Sequence, residues 1–378
     1  MKWISLILAG LLVILPLVPQ AGAEDEGFTT SRKVKGKKAR ERNVRKAASR
    51  KKKELREMGV KNVRVRNPGD WPRKVSVPKD TELKEIKLPG GEKGCVYVSN
   101  NYEYYTRIPL SADAQKTVVR LCECAYAANK AIGEVLPVPR ATAERGGKRF
   151  AVVLQPSMEA YYEAGGPEGS AGVFQGAYRK GIKQLREEDI AMDRVMIPFE
   201  SLGLGRSGSV VREDIDTHAL VHELTHQQFL LNNLPIWANE GWAEYVGYVP
   251  YVGEDLDFDR GFSLILHEAK KRAAFEALDF DFSLEDFLTM EQKTMYGYMA
   301  QRKDTYMLSV MTVAFFVHLD GKRGIDAMKS YLQALLEGQG PEEAAEKLIA
   351  PYRTAKRLQQ AFVRAWKARK VTVGFPKK

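Results

Sequence analysis

From Gly94 onward the apolar positions follow two rhythms, and the change between them divides the chain. Cys95–Ser99 and Tyr102–Ile108 are rich in β-branched and aromatic residues and flank Asn100-Asn101, which predicts a β-hairpin. Ser111 then opens a long helix to about Leu136, because Val118, Leu121, Ala125, Ala128 and Ile132 recur every three to four residues. Arg149–Leu154 reads as a buried strand and Ser157–Glu163 as a short helix stopped by Gly165-Gly166-Pro167. Ser170–Gly176 and Arg194–Phe199 are two further strands, with Pro198 suited to a strand end. These elements predict an α+β half on a small twisted sheet.

The second rhythm is helical. A helix is predicted from about Val210 to Leu231, ended by Asn232-Asn233 and Leu234-Pro235. At 100° per residue, Ile215, His218, His226 and Phe229 share a face with His222, while Leu220, Leu224 and Leu231 lie opposite. One side should pack and the other carry polar chemistry. A helix around Glu240 follows, then a loop of Gly, Pro, Tyr and acids over 247–259. Further helices are predicted at 261–276, 304–319, 323–336, 341–349 and 352–369, with Gly321 as a C-cap and Pro341-Glu342-Glu343 as a helix start. Gly203, Gly205 and Gly208 make a loop and not a dinucleotide fingerprint, since no βαβ unit surrounds them.

The ends read differently. Lys2, an apolar run from Trp3 to Val18 and Ala21-Gly22-Ala23 before Glu24-Asp25 have the layout of a secretory signal. An uncleaved anchor is the alternative, and Pro16, Pro19 and the A-x-A ending favour cleavage near Glu24. No later run reaches spanning length, so the expectation is an exported protein, periplasmic or extracellular, with no membrane span after cleavage. The expected organisation is a signal peptide over 1–23, a basic, disordered tail and linker over 24–93, an α+β subdomain over 94–205 and a helical subdomain over 206–378.

Charge is concentrated in the tail. Residues 32–56 hold 14 Lys and Arg against Glu41 and Glu54, or +12, whereas the whole chain is +11. The remainder is therefore close to neutral. That stretch could hold the protein to anionic envelope polymers; a solvated linker or removable pro-segment is the plainer reading. No aromatics are interleaved, which argues against specific nucleic-acid binding. Of the cysteines, Cys122 and Cys124 point away from each other on one helix, so a disulfide would join one of them to Cys95.

The candidate chemistry lies in His222-Glu223-Leu224-Thr225-His226. Histidines four apart on a helix can converge on one metal ion, and Glu223 beside the first can act as general base toward a water at that metal. Catalytic zinc takes three protein ligands and keeps an open position, and Glu240 in Trp237–Tyr245 offers the third. Glu244, one turn further, could accept a ring N–H from His222 or His226, or could exchange roles with Glu240. His218 extends the ladder of histidines and suits an outer or substrate-facing role, because three successive turns of a rigid helix do not readily converge on one ion. His267 and His318 fall in other predicted helices and read as ordinary packed or exposed histidines.

His222–His226 followed by Leu234-Pro-Ile-Trp-Ala-Asn-Glu240-Gly-Trp-Ala-Glu-Tyr resembles the gluzincin group of zincin metallopeptidases, most of all the peptidase-MA-like domains of bacterial secreted proteins. The resemblance spans about residues 95–335 and implies a zincin-like fold: a small twisted sheet and active-site helix, then a mainly helical C-terminal half. It further implies Zn2+ held by His222, His226 and Glu240, Glu223 as the base, and a peptide or protein substrate. Tyr306 would stabilise the oxyanion, and Gly172, Val173 and Phe174 would form an edge strand that pairs with extended substrate. Only 13 residues separate His226 from Glu240, a shorter link than in thermolysin or aminopeptidase N relatives. Substrate preference therefore does not carry over from those enzymes. The alternative is an inactive gluzincin-fold binding protein held to anionic polymers by its tail.

Overall fold

The computed structural model describes residues 71–77, 84–87, 94–138, 148–176, 193–211, 217–229, 234–301 and 303–376. The signal segment, the basic stretch 32–56 and the piece around Val63 lie outside the described residues. The first half contributes β1 (Lys74–Val75), β2 (Lys84–Lys87), β3 (Cys95–Val98), β4 (Tyr102–Thr106), α1 (Ala112–Val135), β5 (Phe150–Gln155), α2 (Met158–Glu163), β6 (Val173–Gln175) and β7 (Arg194–Pro198). The second contributes α3 (His218–Phe229), α4 (Ile236–Gly247), β8 (Tyr251–Val252), β9 (Asp255–Asp257) and α5 (Phe258–Ala274). After them come α6 (Leu284–Leu288), α7 (Gln292–Ala300), α8 (Thr305–Ala314), a π turn (Phe315–Leu319), α9 (Gly321–Leu336), α10 (Pro341–Ile349) and α11 (Ala355–Lys367).

The architecture is mixed α and β, with a six-stranded sheet in the order β2-β3-β4-β5-β7-β6. The β3–β4 hairpin pairs Cys95 with Thr106 across the Asn-Asn turn, as its alternation predicts. A buried Glu123 on α1 accepts from Ser99 Oγ at 2.6 Å and from Asn101 N at 2.9 Å, so the hairpin turn is tied to the helix beneath it. β4–β5 and β5–β7 are parallel, and β6 closes one edge antiparallel to β7, opposing Phe174 to Val195. The Ser111 and Ser157 side chains cap α1 and α2 where the sequence places those helix starts, each accepting an otherwise unpaired amide of the first turn. No helix among the described residues is long and apolar enough to cross a membrane.

Several expectations need correction. Residues 71–77 and 84–87, which the sequence assigns to the linker, join the fold: Trp71 is buried, β1 pairs with β9, and β2 lies on β3. The helix predicted from Val210 starts at His218, because Val210 forms an isolated bridge with Leu204; residues 212–216 and 230–233 are not among those described. The loop at 247–259 contains the β8–β9 hairpin, turning through Gly253 and Glu254, both with positive φ. The short helices α6 and α7 escape the periodicity altogether. The cysteines are free thiols: Cys122 and Cys124 are buried in α1, and Cys95 is half-buried on β3. Burial pushes the Cys122 thiol well above its ordinary range.

Helix α3 is also more enclosed than its pattern suggests. Leu220, Leu224 and Phe229 are all buried, although Phe229 shares the predicted polar face. Polar side chains meet partners inside: Asn129 of α1 donates to Gln228 at 3.0 Å, and Gln227 donates to the Ala151 carbonyl of β5 at 2.9 Å. The helix is thus fixed between α1 and the sheet. α4 packs beside α3 on one side and α8 on the other, where a Cβ on Gly241 would lie 2.8 Å from the Ser309 carbonyl oxygen. Backbones approach that closely only around a glycine.

A polar chain crosses the aromatic core behind α4. Trp71 Nε1 donates to Tyr245 Oη at 2.9 Å, and that hydroxyl is hydrogen-bonded to His318 Nε2 at 2.7 Å. His318 sits in the π turn and is a packed histidine, one of the two readings open to it from sequence.

Candidate metal centre

Helix α3 supplies His222 and His226 one turn apart, and α4 crosses beside it with Glu240. Glu240 Oε2 is 3.5 Å from His222 Nε2 and 3.5 Å from His226 Nε2, while the two Nε2 atoms are 2.9 Å apart. A tetrahedral ion with bonds of about 2.0–2.1 Å sets its ligand atoms about 3.3–3.4 Å apart, so the two edges to Glu240 have the right length while the two nitrogens stand closer together. All three residues are buried, at 9%, 8% and 6% exposure. The geometry is enclosed enough to strengthen any charge interaction made there.

The outer contacts decide which nitrogens face inward. His226 Nδ1 lies 3.0 Å from Asn239 Oδ1, an amide oxygen that can only accept. His222 Nδ1 faces Glu244 Oε1 at 3.0 Å, an acceptor as well, in a charge contact that is not aligned as a hydrogen bond. For a neutral His226 ring this places the proton on Nδ1 and turns an Nε2 lone pair inward. Two ring nitrogens and a carboxylate oxygen then converge, the nitrogens within hydrogen-bond distance of each other. Such a set of donor atoms suits a cation.

Without a metal, that cation is a proton. Burial alone would lower the His222 imidazole, yet Glu240, Glu244 and Glu223 outweigh it and raise the group well above its ordinary value. Glu240 shows the reverse balance: burial raises it, and the His226 and His222 rings overcome this and hold the carboxyl down at about 2. Glu244 is lowered too, with the burial effect overcome by His218 and His222. These directions describe a carboxylate-rich pocket that attracts positive charge.

The remaining residues singled out from sequence surround this triangle. Glu223, half-buried on the flank of α3, accepts the backbone N–H of Phe174 at Oε2, 2.6 Å away. That contact links the glutamate directly to β6, the terminal strand of the sheet. In an antiparallel ladder a residue's N–H and C=O point to the same side. The backbone of Phe174 therefore faces away from β7. Gly172 is buried, and a Cβ there would meet Glu223 Cγ and Ile197 at 3.5 Å, an ordinary contact distance, so packing alone does not demand the glycine. Val173 lies between them on β6, partly exposed.

Tyr306 opens α8, partly buried, with its ring parallel to that of Tyr296 at 6.5 Å between centroids. Burial, then the Glu240 charge and Tyr296, push its hydroxyl far above the ordinary tyrosine range, so it remains a neutral donor. His218 does not enter the triangle: its Nε2 is 3.3 Å from Glu244 Oε2. His267 lies on α5 and takes no part in the grouped ligands.

Two neighbours escape sequence reasoning. Asn239 sits immediately before Glu240, but its link to His226 depends on the crossing of α3 and α4, which no local pattern reveals. Tyr161 of α2 bonds Ser170 through its hydroxyl at 2.6 Å and feels the charge of Glu223, which brings α2 to the rim. Comparison with protein-family models, with curated proteins and with solved structures returns no match for this chain.

Proposed function

We propose that the protein is an exported zinc metallopeptidase of gluzincin type, with a zincin-like arrangement of sheet and active-site helix. The observation that carries this reading is the convergence of His222 Nε2, His226 Nε2 and Glu240 Oε2 within 2.9–3.5 Å, both imidazoles being oriented from behind by acceptors. The donor set suits Zn2+, and His222, His226 and Glu240 would hold it. When bound, zinc would supply a Lewis acid that polarises a carbonyl and acidifies a water.

The chain's own groups account for the rest. Glu223 is the group that takes the proton from water and returns it to the leaving amine; its Oε2 is held by Phe174 N–H, which fixes the carboxylate beside β6. Tyr306, neutral and close to the Glu240 charge, donates to the oxygen on which charge develops. An extended peptide backbone would lie along β6, the sheet's terminal strand, beside Gly172, Val173 and Phe174. Asn239 and Glu244 keep the two rings in one tautomer and orientation.

The test is metal analysis of the purified chain together with digestion of an unbiased peptide library, before and after chelation. Zinc at one ion per chain and cleavage lost to the chelator are expected. Glu223→Gln should keep the metal and lose cleavage. A chain that takes up no zinc when zinc is supplied would end this reading, and cleavage surviving Glu223→Gln would remove Glu223 as the base.

A further inference from the structure

Behind His222 the polar contacts continue beyond what zinc binding requires. Glu244 faces His222 Nδ1 at 3.0 Å through Oε1, and His218 Nε2 lies 3.4 Å from that same oxygen and 3.3 Å from Oε2, so one carboxylate serves two histidines one turn apart on α3. Glu244 belongs to α4, so this contact bridges the two helices that supply the inward ligand atoms. A carboxylate in that position can rotate about its side-chain torsions unless a second group also holds it. His218, within reach of both oxygens, is that group.

The seat of His218 is shaped for this contact. Gly247, one turn beyond Glu244 near the end of α4, lies against the ring: a Cβ there would stand 3.2 Å from His218 Cε1 and 3.3 Å from Nε2. The Tyr248 ring meets the imidazole edge-on at 4.7 Å between centroids. His218 is thus pressed toward Glu244 from one side by α4 and from another by Tyr248. Its side chain keeps 31% exposure, while Glu244 keeps 14%.

We propose that His218 is a positioning residue for the metal centre, acting through Glu244 to fix the ring of His222, with Gly247 as the position that leaves room for it. This rests on the zinc reading above and extends it by one layer. His218 lies outside the inward triangle, and its ring also stacks on that of His222 at 6.2 Å between centroids. Its effect is to remove freedom from Glu244, so that His222 Nε2 already points inward before the ion arrives. Residues orienting metal-bound histidines through carboxylates typically alter metal affinity by about 10–100-fold, and a group acting one step further out belongs at the lower end.

The experiment is a competition titration of the full metal-free chain with Zn2+ against a chromophoric chelator. The proteins are the natural chain, His218→Ala, His218→Gln, Glu244→Ala and the double variant. Thermal unfolding of each metal-free protein controls for folding. His218→Ala should weaken zinc binding by about 10-fold, and His218→Gln, which retains a side-chain N–H donor, should recover part of the loss. Glu244→Ala should cost at least as much. In that background His218→Ala should cost nothing more, because its effect passes through the carboxylate. Gly247→Ala, which moves the ring by a few tenths of an ångström, should give a smaller loss in the same direction.

Equal zinc affinity for His218→Ala and the natural chain would overturn the inference, as would losses that multiply in the double variant. If the natural chain itself binds no zinc, the proposed function falls and this inference with it. The two failures are therefore told apart by the first titration alone.

Discussion

The buried His318 makes a quantitative demand on stability. Its Nε2 lies 2.7 Å from the Tyr245 hydroxyl, which accepts Trp71 N–H. A charged ring there would be buried with no opposite charge to offset its desolvation. Burial accordingly drops the imidazole from 6.5 to about 3. Between those values the unfolded chain binds more protons than the folded one, so stability rises with pH across that window. The contribution is complete above pH 6.5 and is lost as pH falls toward 3. The two values give a loss of about 2 kcal/mol at pH 5 relative to pH 8, and roughly 4 kcal/mol at pH 3. The assay is urea unfolding of metal-free protein at pH 7.5 and pH 5.0, comparing the natural chain with His318→Gln. The glutamine keeps an acceptor for Tyr245 and does not titrate. Other ionisable groups, including those of the metal centre, contribute to both proteins and cancel in the difference. The natural chain should lose about 2 kcal/mol more than the variant on acidification. Identical losses, or an imidazole resonance of His318 titrating near its ordinary value, would refute the reasoning.

Other consequences are more local. Asn239→Ala removes the acceptor behind His226, so zinc affinity should fall by about 10–100-fold in the same competition titration while the metal-free protein unfolds at nearly the same temperature. Gly241→Ala places a methyl group 2.8 Å from the Ser309 carbonyl oxygen and should destabilise by about 1–3 kcal/mol in denaturant unfolding; an unchanged midpoint would mean α4 and α8 can separate freely.

What could be read from the chain in advance divides along the range of the interaction. The β3–β4 hairpin, α1 with its Ser111 cap and α2 with its Ser157 cap depend on residues within a few positions, and alternation or capping chemistry exposes them. His222 and His226 are legible for the same reason, since one helical turn brings them together. Trp71 and β1 were hidden because their partners are remote: Lys74 pairs with Asp257, so nothing near Lys74 marks it as a strand. β2 pairs with the nearby β3, but Lys84-Glu-Ile-Lys87 has a single apolar residue and so no alternation to read. The β8–β9 hairpin was hidden by its acids and by a turn in which Glu254 takes a left-handed conformation usually reserved for glycine. Val210 and Val211 continue an apolar pattern toward α3 but serve the loop, as the Leu204–Val210 bridge demonstrates. Asn239 could not be assigned a role before the crossing of α3 and α4 was known. The wide burial of α3 likewise comes from the helices and strands packed around it and not from its own periodicity.

The contact between Trp71 and Tyr245 also bears on how the molecule is made. Their separation of 174 residues means that a ribosome working at about 5–20 residues per second needs roughly 10–35 s after placing the indole to supply the phenol. During that interval the indole lacks Trp242 and Tyr245, two of the rings it packs against. That aromatic layer can close only when both distant segments exist, so the strand that follows Trp71 pairs late.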